Sequence, residues 1–341
     1  MIDLRSDTVT RPTPAMYEAM RRAELGDDVL GDDPTVIALQ ERVAALLGKD
    51  EALYVPSGTM ANQIAVASQT RPGQQVILEA DGHIYHYEAG APAALAGVQL
   101  TLVPGEGGAL RWEQVEAAIS PPDVHFPEPA LVCLENTHNR AGGRILPQDL
   151  VVEVGRGAHA RGLRLHLDGA RLWNAHVATG IALSELAGPA DTVSVCFSKA
   201  LGAPVGSCLA GDAATLARAR WWRKRLGGGM RQSGLLAAAC LHALDHHLER
   251  LATDHAHARR VADELDNPLL RVDHPVDTNI VMVDVAAPGT AAGLVEHLAA
   301  AGIGVLALGE RRVRLIPNLG VDASAMDAVL AALDSYRETE A

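Results

Sequence analysis

The sequence predicts an α/β protein of two domains, a larger one built on a mainly parallel sheet and a smaller α/β cap of antiparallel type. Three observations predict it. Short β-branched and aliphatic runs, such as Thr192 to Phe197 and Leu131 to Glu135, stop abruptly at polar or glycine-rich turns, as strands of a buried sheet do. Helical stretches with recognisable start and stop residues lie between them. The chain of 341 residues, 48% of them apolar, is long enough for about two domains with a sizeable core. The large domain is read as residues 1–250 with an N-terminal arm, and the small one as 251–341.

Residues 1 to 12 are polar and β-rich and read as an extended arm. Pro12 and Pro14 then introduce a helix with Pro14 at its first position. Gly26 to Pro34 is a loop whose Asp33-Pro34 pair caps a helix from Thr35 to Leu47, and Gly48 ends that helix. Ala52 to Val55 is a strand that breaks at Pro56 and restarts as a helix at Gly58-Thr59. The unpaired N–H groups and positive dipole end of such a helix suit a phosphate, and Gly58 lets the backbone come close. It is not a nucleotide P-loop, because the lysine and the longer glycine spacing are missing. Gln75 to Glu79 is a strand, followed by His83-Ile-Tyr-His-Tyr87. Leu131 to Glu135 runs into Asn136-Thr-His-Asn139, where Glu135 and Asn139 shape a pocket rather than perform chemistry. A long apolar helix from Gly234 to about Leu251 closes the large domain. Beyond it Asn279 to Val285, Gly304 to Leu308 and Arg312 to Ile316 read as strands, and Ala291 to Ala300 and Ala323 to Tyr336 as helices.

One stretch, Thr192-Val-Ser-Val-Cys-Phe-Ser-Lys-Ala-Leu-Gly-Ala-Pro-Val-Gly-Ser207, puts Lys199 where a buried strand ends. Lysine is almost never fully buried without a partner, since an ammonium taken out of water costs several kcal/mol, roughly, unless it is paired or loses its proton. An imine with an aldehyde cofactor removes the difficulty, and pyridoxal phosphate (PLP) is the commonest such cofactor. The ring of that cofactor needs an acidic partner for its pyridine nitrogen. Leu163-Arg-Leu-His-Leu-Asp168-Gly-Ala-Arg171 supplies one: Leu163, Leu165 and Leu167 alternate with Arg164 and His166, and Asp168 arrives at the carboxyl end, where open parallel sheets bind ligands.

The formal net charge of −13, with no long basic block, argues against a nucleic-acid or membrane surface. The expected partners are a small-molecule substrate and further copies of this chain. Cys133, Cys196, Cys208 and Cys240 sit singly in apolar runs and read as reduced core residues of a cytoplasmic protein. The start of the chain carries no signal-type segment and no 18-residue apolar run occurs. None of the 14 histidines has HExxH-type or paired-Cys spacing, so no transition-metal site is expected.

Arg5-Ser-Asp-Thr-Val-Thr10, Gly26-Asp-Asp-Val29, Pro56-Ser-Gly-Thr-Met-Ala-Asn62, Glu135 to Asn139, His166 to Arg171, Ser198 to Ser207 and Gly227-Gly-Gly-Met-Arg-Gln232 together resemble the low-specificity L-threonine aldolases, in order and spacing, across nearly the whole chain. The resemblance implies the PLP-dependent transferase fold (type I) shared with aspartate aminotransferase, with a seven-stranded sheet. It implies retro-aldol cleavage of L-threonine, L-allo-threonine and related β-hydroxy-α-amino acids to glycine and an aldehyde, in a homodimer or homotetramer with active sites at the subunit interface. It assigns the cofactor to Gly58, Thr59, His83, Asp168, Arg171, Lys199, Lys224 and Arg231, the last two reaching across a dimer to the neighbour's phosphate. Ser6, Tyr87, Arg171 and Arg314 are assigned to the substrate. His83 would stack on the ring and His125 would lie near the substrate hydroxyl. The base stays open among these two imidazoles, each with an ordinary affinity for protons near neutral pH, and a water they orient. Two positions depart from the family pattern: Leu30 stands where relatives usually have tyrosine, and Asn318 where they often have histidine. The competing readings are another PLP lyase or transaminase acting on a small amino acid, and a non-catalytic PLP-binding relative.

Overall fold

The computed structural model describes residues 1–337. A short strand, β1 (Ile2–Asp3), precedes helices α1 (Pro14–Arg22) and α2 (Pro34–Leu47). Pro14 and Pro34 occupy first-turn positions that have no N–H to lose, Thr13 and Asp33 cap the two helices, and Gly48 ends α2 with φ at +63°. Strands and helices then alternate through β2 (Glu51–Val55), α3 (Gly58–Gln69), β3 (Gln75–Glu79), α4 (His83–His86) and β4 (Gln99–Val103). Next come α5 (Trp112–Ala118), β5 (Pro129–Glu135), α6 (Gln148–Ala160), β6 (Arg164–Gly169), α7 (Leu172–Thr179) and α8 (Leu183–Ala187). The series continues with β7 (Thr192–Cys196), β8 (Ser207–Gly211), α9 (Ala213–Arg225), α10 (Gly234–His246) and α11 (Leu251–Glu264).

Seven of these strands form one sheet in the order β2-β8-β7-β6-β5-β3-β4. Only β8 runs against its neighbours, so the sheet is mainly parallel as the sequence led us to expect. Helices cover both faces. On one face α2, α6, α7 and α10 bury Val36, Leu39, Val154, Leu172 and Ala239 against Val132, Leu165 and Val193; on the other α3 and α9 bury Ile64, Leu216 and Ala219 against Leu53 and Leu209. This two-sided cover explains why the polar residues alternating with leucine in β6 are not an exposed face. His166 is as buried as Leu165 and Leu167.

The small unit is an antiparallel sheet, in the order β12-β13-β10-β9, made of β9 (Leu270–Arg271), β10 (Val281–Val285), β12 (Leu306–Ala307) and β13 (Arg312–Leu315), with the short strand β11 (Ile303–Gly304) beside it. It packs on α11, α12 (Ala291–Ala300) and α13 (Ala323–Ser335) around a core of its own. Three features differ from expectation, the first being that the run Gly304 to Leu308 is split between β11 and β12, which pair with β1 and β13 respectively. The apolar stretch after Gly234 is two helices, because the chain turns over His247 to Arg250 and the His247 Nδ1 meets the Leu201 carbonyl at 2.8 Å. The arm, grouped in sequence with the large domain, hydrogen-bonds to the small unit: β1 pairs in parallel with β11, Ile316 N–H donates to the Leu4 carbonyl, and Leu4 is buried in the small unit's core. Asn318 Nδ2 donates to the Asp3 carbonyl at 2.9 Å, so the asparagine that departs from the family pattern fastens the arm.

Candidate active site

Because every strand but β8 points the same way, the carboxyl ends of β2, β7, β6, β5 and β3 open on one side of the sheet, and the polar residues at those ends converge there. Asp168, at the end of β6, is buried and accepts from Asn62 Nδ2 at 2.7 Å and from the Ala170 N–H at 3.0 Å. It belongs to the strand and does not cap a helix, since α7 begins at Leu172. Burial opposes its ionisation, but the charges of His83 and Lys199 and the Ala170 N–H hold it below the usual carboxylate range. Behind it His166 bridges Thr192 Oγ1 at 2.9 Å and Asn62 Oδ1 at 3.0 Å, and burial brings its pKa down to about 4, keeping the ring neutral.

Lys199 follows β7 by three residues and is half-buried. Among the described residues its Nζ makes no hydrogen bond or ion pair, although its charge is felt at both Asp168 and Asp7. Across the sheet, α3 starts at Gly58 with Ser57 as cap, accepting from Met60 N–H at 3.2 Å. Helix geometry leaves the Gly58 and Thr59 N–H groups with no intrahelical acceptor. A Cβ on Gly58 would lie 2.6 Å from Cys196 Sγ, so only glycine lets α3 begin this close to β7.

His83 opens α4, with its N–H on Glu135 Oε2 at 2.6 Å and its Nδ1 3.0 Å from Glu88 Oε1. Burial works against a charged ring here, yet the Glu88 hydrogen bond and the charges of Asp168, Glu135 and Glu88 outweigh it and raise the His83 pKa. His83 is therefore not the ordinary imidazole that its sequence position suggested. Glu135 also accepts the Asn139 N–H at 2.9 Å, and Asn139 Oδ1 accepts from Arg314 Nη1 at 3.0 Å. Tyr87 lies 5.4 Å from the His83 ring, and its hydroxyl accepts from Arg140 Nη1 at 3.1 Å.

Arg171 and Asp7 are both buried and joined through two bonds of 2.8 Å, Nε to Oδ2 and Nη2 to Oδ1. Of the three neighbouring arginines Arg311, Arg312 and Arg314, only Arg314 is buried; Arg312 is exposed on Asp284. Arg314 Nη2 donates to the Arg5 carbonyl at 3.2 Å, and its buried Nε has no partner among the described residues. Burial and the Arg171 charge lower its pKa. Arg171 is paired with Asp7 while Arg314 has no carboxylate partner among the described residues, which leaves positive charge for an anionic group such as a substrate carboxylate. Ser6 caps the turn over Asp7–Val9 beside them, accepting from Thr8 N–H at 3.2 Å.

Three sequence-predicted residues stay apart from this group. Lys224 is exposed in the last turn of α9, and Arg231 is exposed on Asp27 at 3.0 Å. His125 hydrogen-bonds Asp123 with its side chain 82% exposed. It precedes β5, at the opposite end of the strand from Glu135, roughly 20 Å away at ~3.3 Å per residue over seven residues. Conversely Asn62, Glu88 and Asp7 belong to the group without having been given a role from sequence. Asn62 and Asp7 lie inside the quoted blocks, but nothing in their spacing marks them as partners of Asp168 and Arg171.

His83, Glu88 and Asp168 place three ligand-type atoms within 4.8 Å of one another. Asn62 Nδ2 already donates to both carboxylates, at 2.8 and 2.7 Å, so an ion there would have to displace a donor. The donor set suits a pyridine ring better: a buried carboxylate for its nitrogen, an imidazole beside it, a lysine with no partner among the described residues and free helix N–H groups for a phosphate. Fold and site together define a pyridoxal-phosphate-dependent enzyme of fold type I.

Solved structures of that fold superpose over nearly the whole chain. Threonine aldolase from Leishmania major gives a TM-score of 0.85 at 23% identity, covering 98% of both chains. Serine palmitoyltransferase from Sphingomonas wittichii gives 0.77 at 18%, covering 98% of this chain and 86% of that one. The beta-eliminating lyase family matches residues 3–288. The low specificity L-threonine aldolase of Escherichia coli is 44% identical over 97% of this chain and 98% of its own length. The probable low-specificity L-threonine aldolase 2 of Arabidopsis thaliana is 47% identical over 83% of this chain and 82% of its own. The chain belongs to the low-specificity L-threonine aldolase family.

Proposed function

We propose that this chain cleaves L-threonine and L-allo-threonine, and other β-hydroxy-α-amino acids, to glycine and an aldehyde, which is acetaldehyde for both threonines. The likeness to the Escherichia coli enzyme, at 44% identity from end to end, carries this reading. Lys199 would hold the cofactor, Asp168 its pyridine nitrogen, and the Gly58 and Thr59 N–H groups its phosphate. Bound there, pyridoxal phosphate supplies an electron sink for the pair released when the Cα–Cβ bond breaks.

The chain's own residues decide which bond breaks. Arg171 and Arg314, with Ser6, would grip the substrate carboxylate from the arm side and so fix the orientation of Cα and its bonds. His83 Nε2 makes no hydrogen bond among the described residues, and as a base it would take the β-hydroxyl proton. Tyr87, fixed by Arg140, lies against His83 and limits the room for a β-substituent.

A homo-oligomer, dimer or tetramer, completes the proposal. Val124 is 94% and Phe126 53% exposed beside His125, and Trp221 is 79% exposed three residues before Lys224, all apolar surface that a second copy would cover. His125 can act only in another copy's site, given its distance from its own. Four buried, unpaired cysteines suit the cytoplasm. Among the described residues no helix is long and apolar enough to cross a membrane.

Product analysis tests the reading: each threonine diastereomer should give glycine and acetaldehyde in equal amounts with little 2-oxobutanoate. If L-threonine yields mainly 2-oxobutanoate and ammonia, the chain is a dehydratase and the proposal fails.

A further inference from the structure

Glu88 is a buried carboxylate of the site that none of the cofactor and substrate roles uses. Its side chain is fully buried and both oxygens are taken. Oε1 accepts from Asn62 Nδ2 at 2.8 Å and meets His83 Nδ1 at 3.0 Å, and Oε2 accepts from Gln63 Nε2. The orientation of the Asn62 amide is fixed independently, because its Oδ1 receives the Ser194 hydroxyl at 2.8 Å and His166 Nε2 at 3.0 Å; a flipped amide would turn its oxygen onto two carboxylates. With two amide donors already aimed at it, the Glu88 carboxylate offers only lone pairs to His83. The imidazole must meet it with an Nδ1–H, which leaves Nε2 as the ring nitrogen that titrates.

We propose that Glu88 is a positioning residue that fixes the proton of His83 on Nδ1 and holds the ring, so that Nε2 is the atom that takes and returns the proton of the substrate's β-hydroxyl. This rests on the retro-aldol reading above. The ring is faced by Glu88 beyond its own helix, Asp168 from β6, Glu135 from β5 and the Tyr87 ring. Glu88 alone among them bonds a ring nitrogen, while Glu135 holds the backbone N–H. Two donors from α3, Asn62 and Gln63, hold Glu88 in place, so the geometry of His83 is anchored on the helix whose first turn would carry the cofactor phosphate.

Histidine-selective ¹⁵N NMR on the purified holoenzyme tests this, with the His83 signals assigned by their loss in His83→Phe. Wild-type protein should show His83 protonated at Nδ1 and titrating at Nε2. In Glu88→Gln the His83 midpoint should move to lower pH by about half a unit or more. The acidic limb of kcat/KM should move the same way, its plateau should fall about tenfold or more, and retention of the cofactor should be unchanged. Glu88→Asp should keep most of the wild-type midpoint, and adding Glu88→Gln to His83→Phe should cost less than about threefold more. A wild-type ring protonated on Nε2 instead of Nδ1 overturns the proposal, and this readout stands even if Glu88→Gln does not fold. An unmoved midpoint in a folded Glu88→Gln protein overturns it as well. If no β-hydroxy amino acid is cleaved, the functional reading fails on product analysis, while the His83 titration still reports the Glu88 contact by itself.

Discussion

Replacing Asp7 by asparagine asks how strongly charge ties the N-terminal arm to the large sheet. Asp7 is fully buried and bonds Arg171 twice at 2.8 Å. Burial pushes its pKa up, but the Arg171 charge and hydrogen bonds, the Lys199 charge and Asn279 bring it down from 3.8 to about 2. At ~1.4 kcal/mol per pH unit the ionised carboxylate contributes about 2.5 kcal/mol to folding at neutral pH. Since the folded pKa is the lower one, that contribution is complete above about pH 4 and is lost as the pH falls towards 2. Taking one partner from a buried ion pair costs ~3–5 kcal/mol, because the other charge stays behind, but an asparagine oxygen can still accept one of the two bonds. The expected loss at pH 7 is therefore ~2–4 kcal/mol. Urea titrations of wild-type and Asp7→Asn protein at one protein concentration measure it, and trypsin reports whether the Arg5–Ser6 bond has become more readily cleavable. A loss under ~1 kcal/mol with the arm still protected would refute the assignment of the arm's anchor to this pair.

Lys199→Ala should abolish the yellow colour of the purified protein and nearly all turnover, read by visible absorbance and acetaldehyde release; a fully active variant would remove Lys199 from the chemistry. Gly58→Ala should weaken cofactor binding about tenfold or more, because its Cβ meets buried Cys196 Sγ at 2.6 Å, and Cys196→Ala in the same chain should recover part of it in a cofactor titration. His83→Phe and His125→Phe should each cost about 10²-fold or more in turnover, the scale of general-base catalysis. If His125 serves a neighbouring copy, mixing His125→Phe subunits with Lys199→Ala subunits should restore activity that neither has alone, and a mixture as inactive as its parts would put His125 outside the site.

Much of the site could be read from strand ends. Lys199 and Asp168 stand out in sequence because a charged residue terminates an apolar run, and that is a local signal. The bounds of α12 likewise follow from Thr290 and the apolar run behind it. What the sequence hid was set by contacts between distant segments. Nothing local marks Leu4 as a core residue of a unit built from residues beyond 250, or the chain at His247 as drawn down onto the Leu201 carbonyl. His166 reads as the polar half of an alternating strand until α3 is seen to cover that face. Glu88 follows His83-Ile-Tyr-His-Tyr87 like any helix-end acid, and its meaning comes from Asn62 and Gln63, which arrive on a different helix. The raised proton affinity of His83 was hidden for the same reason, since Asp168, Glu135 and Glu88 come from three separate segments.

The pairing of β1 with β11 joins residues roughly 300 positions apart, and that separation has a consequence for how the protein is made. On a ribosome adding ~5–20 residues per second, Ile2 waits on the order of 15–60 s before Ile303 exists to receive it. The large sheet can assemble during that interval, but Asp7, Ser6 and Arg314 cannot take their places around Arg171 until the last quarter of the chain has emerged. Nascent chains arrested short of Arg314 should thus be able to hold the cofactor while lacking the grip on an amino acid's carboxylate. Competence for the substrate arrives late in synthesis, when segments some 300 positions apart meet.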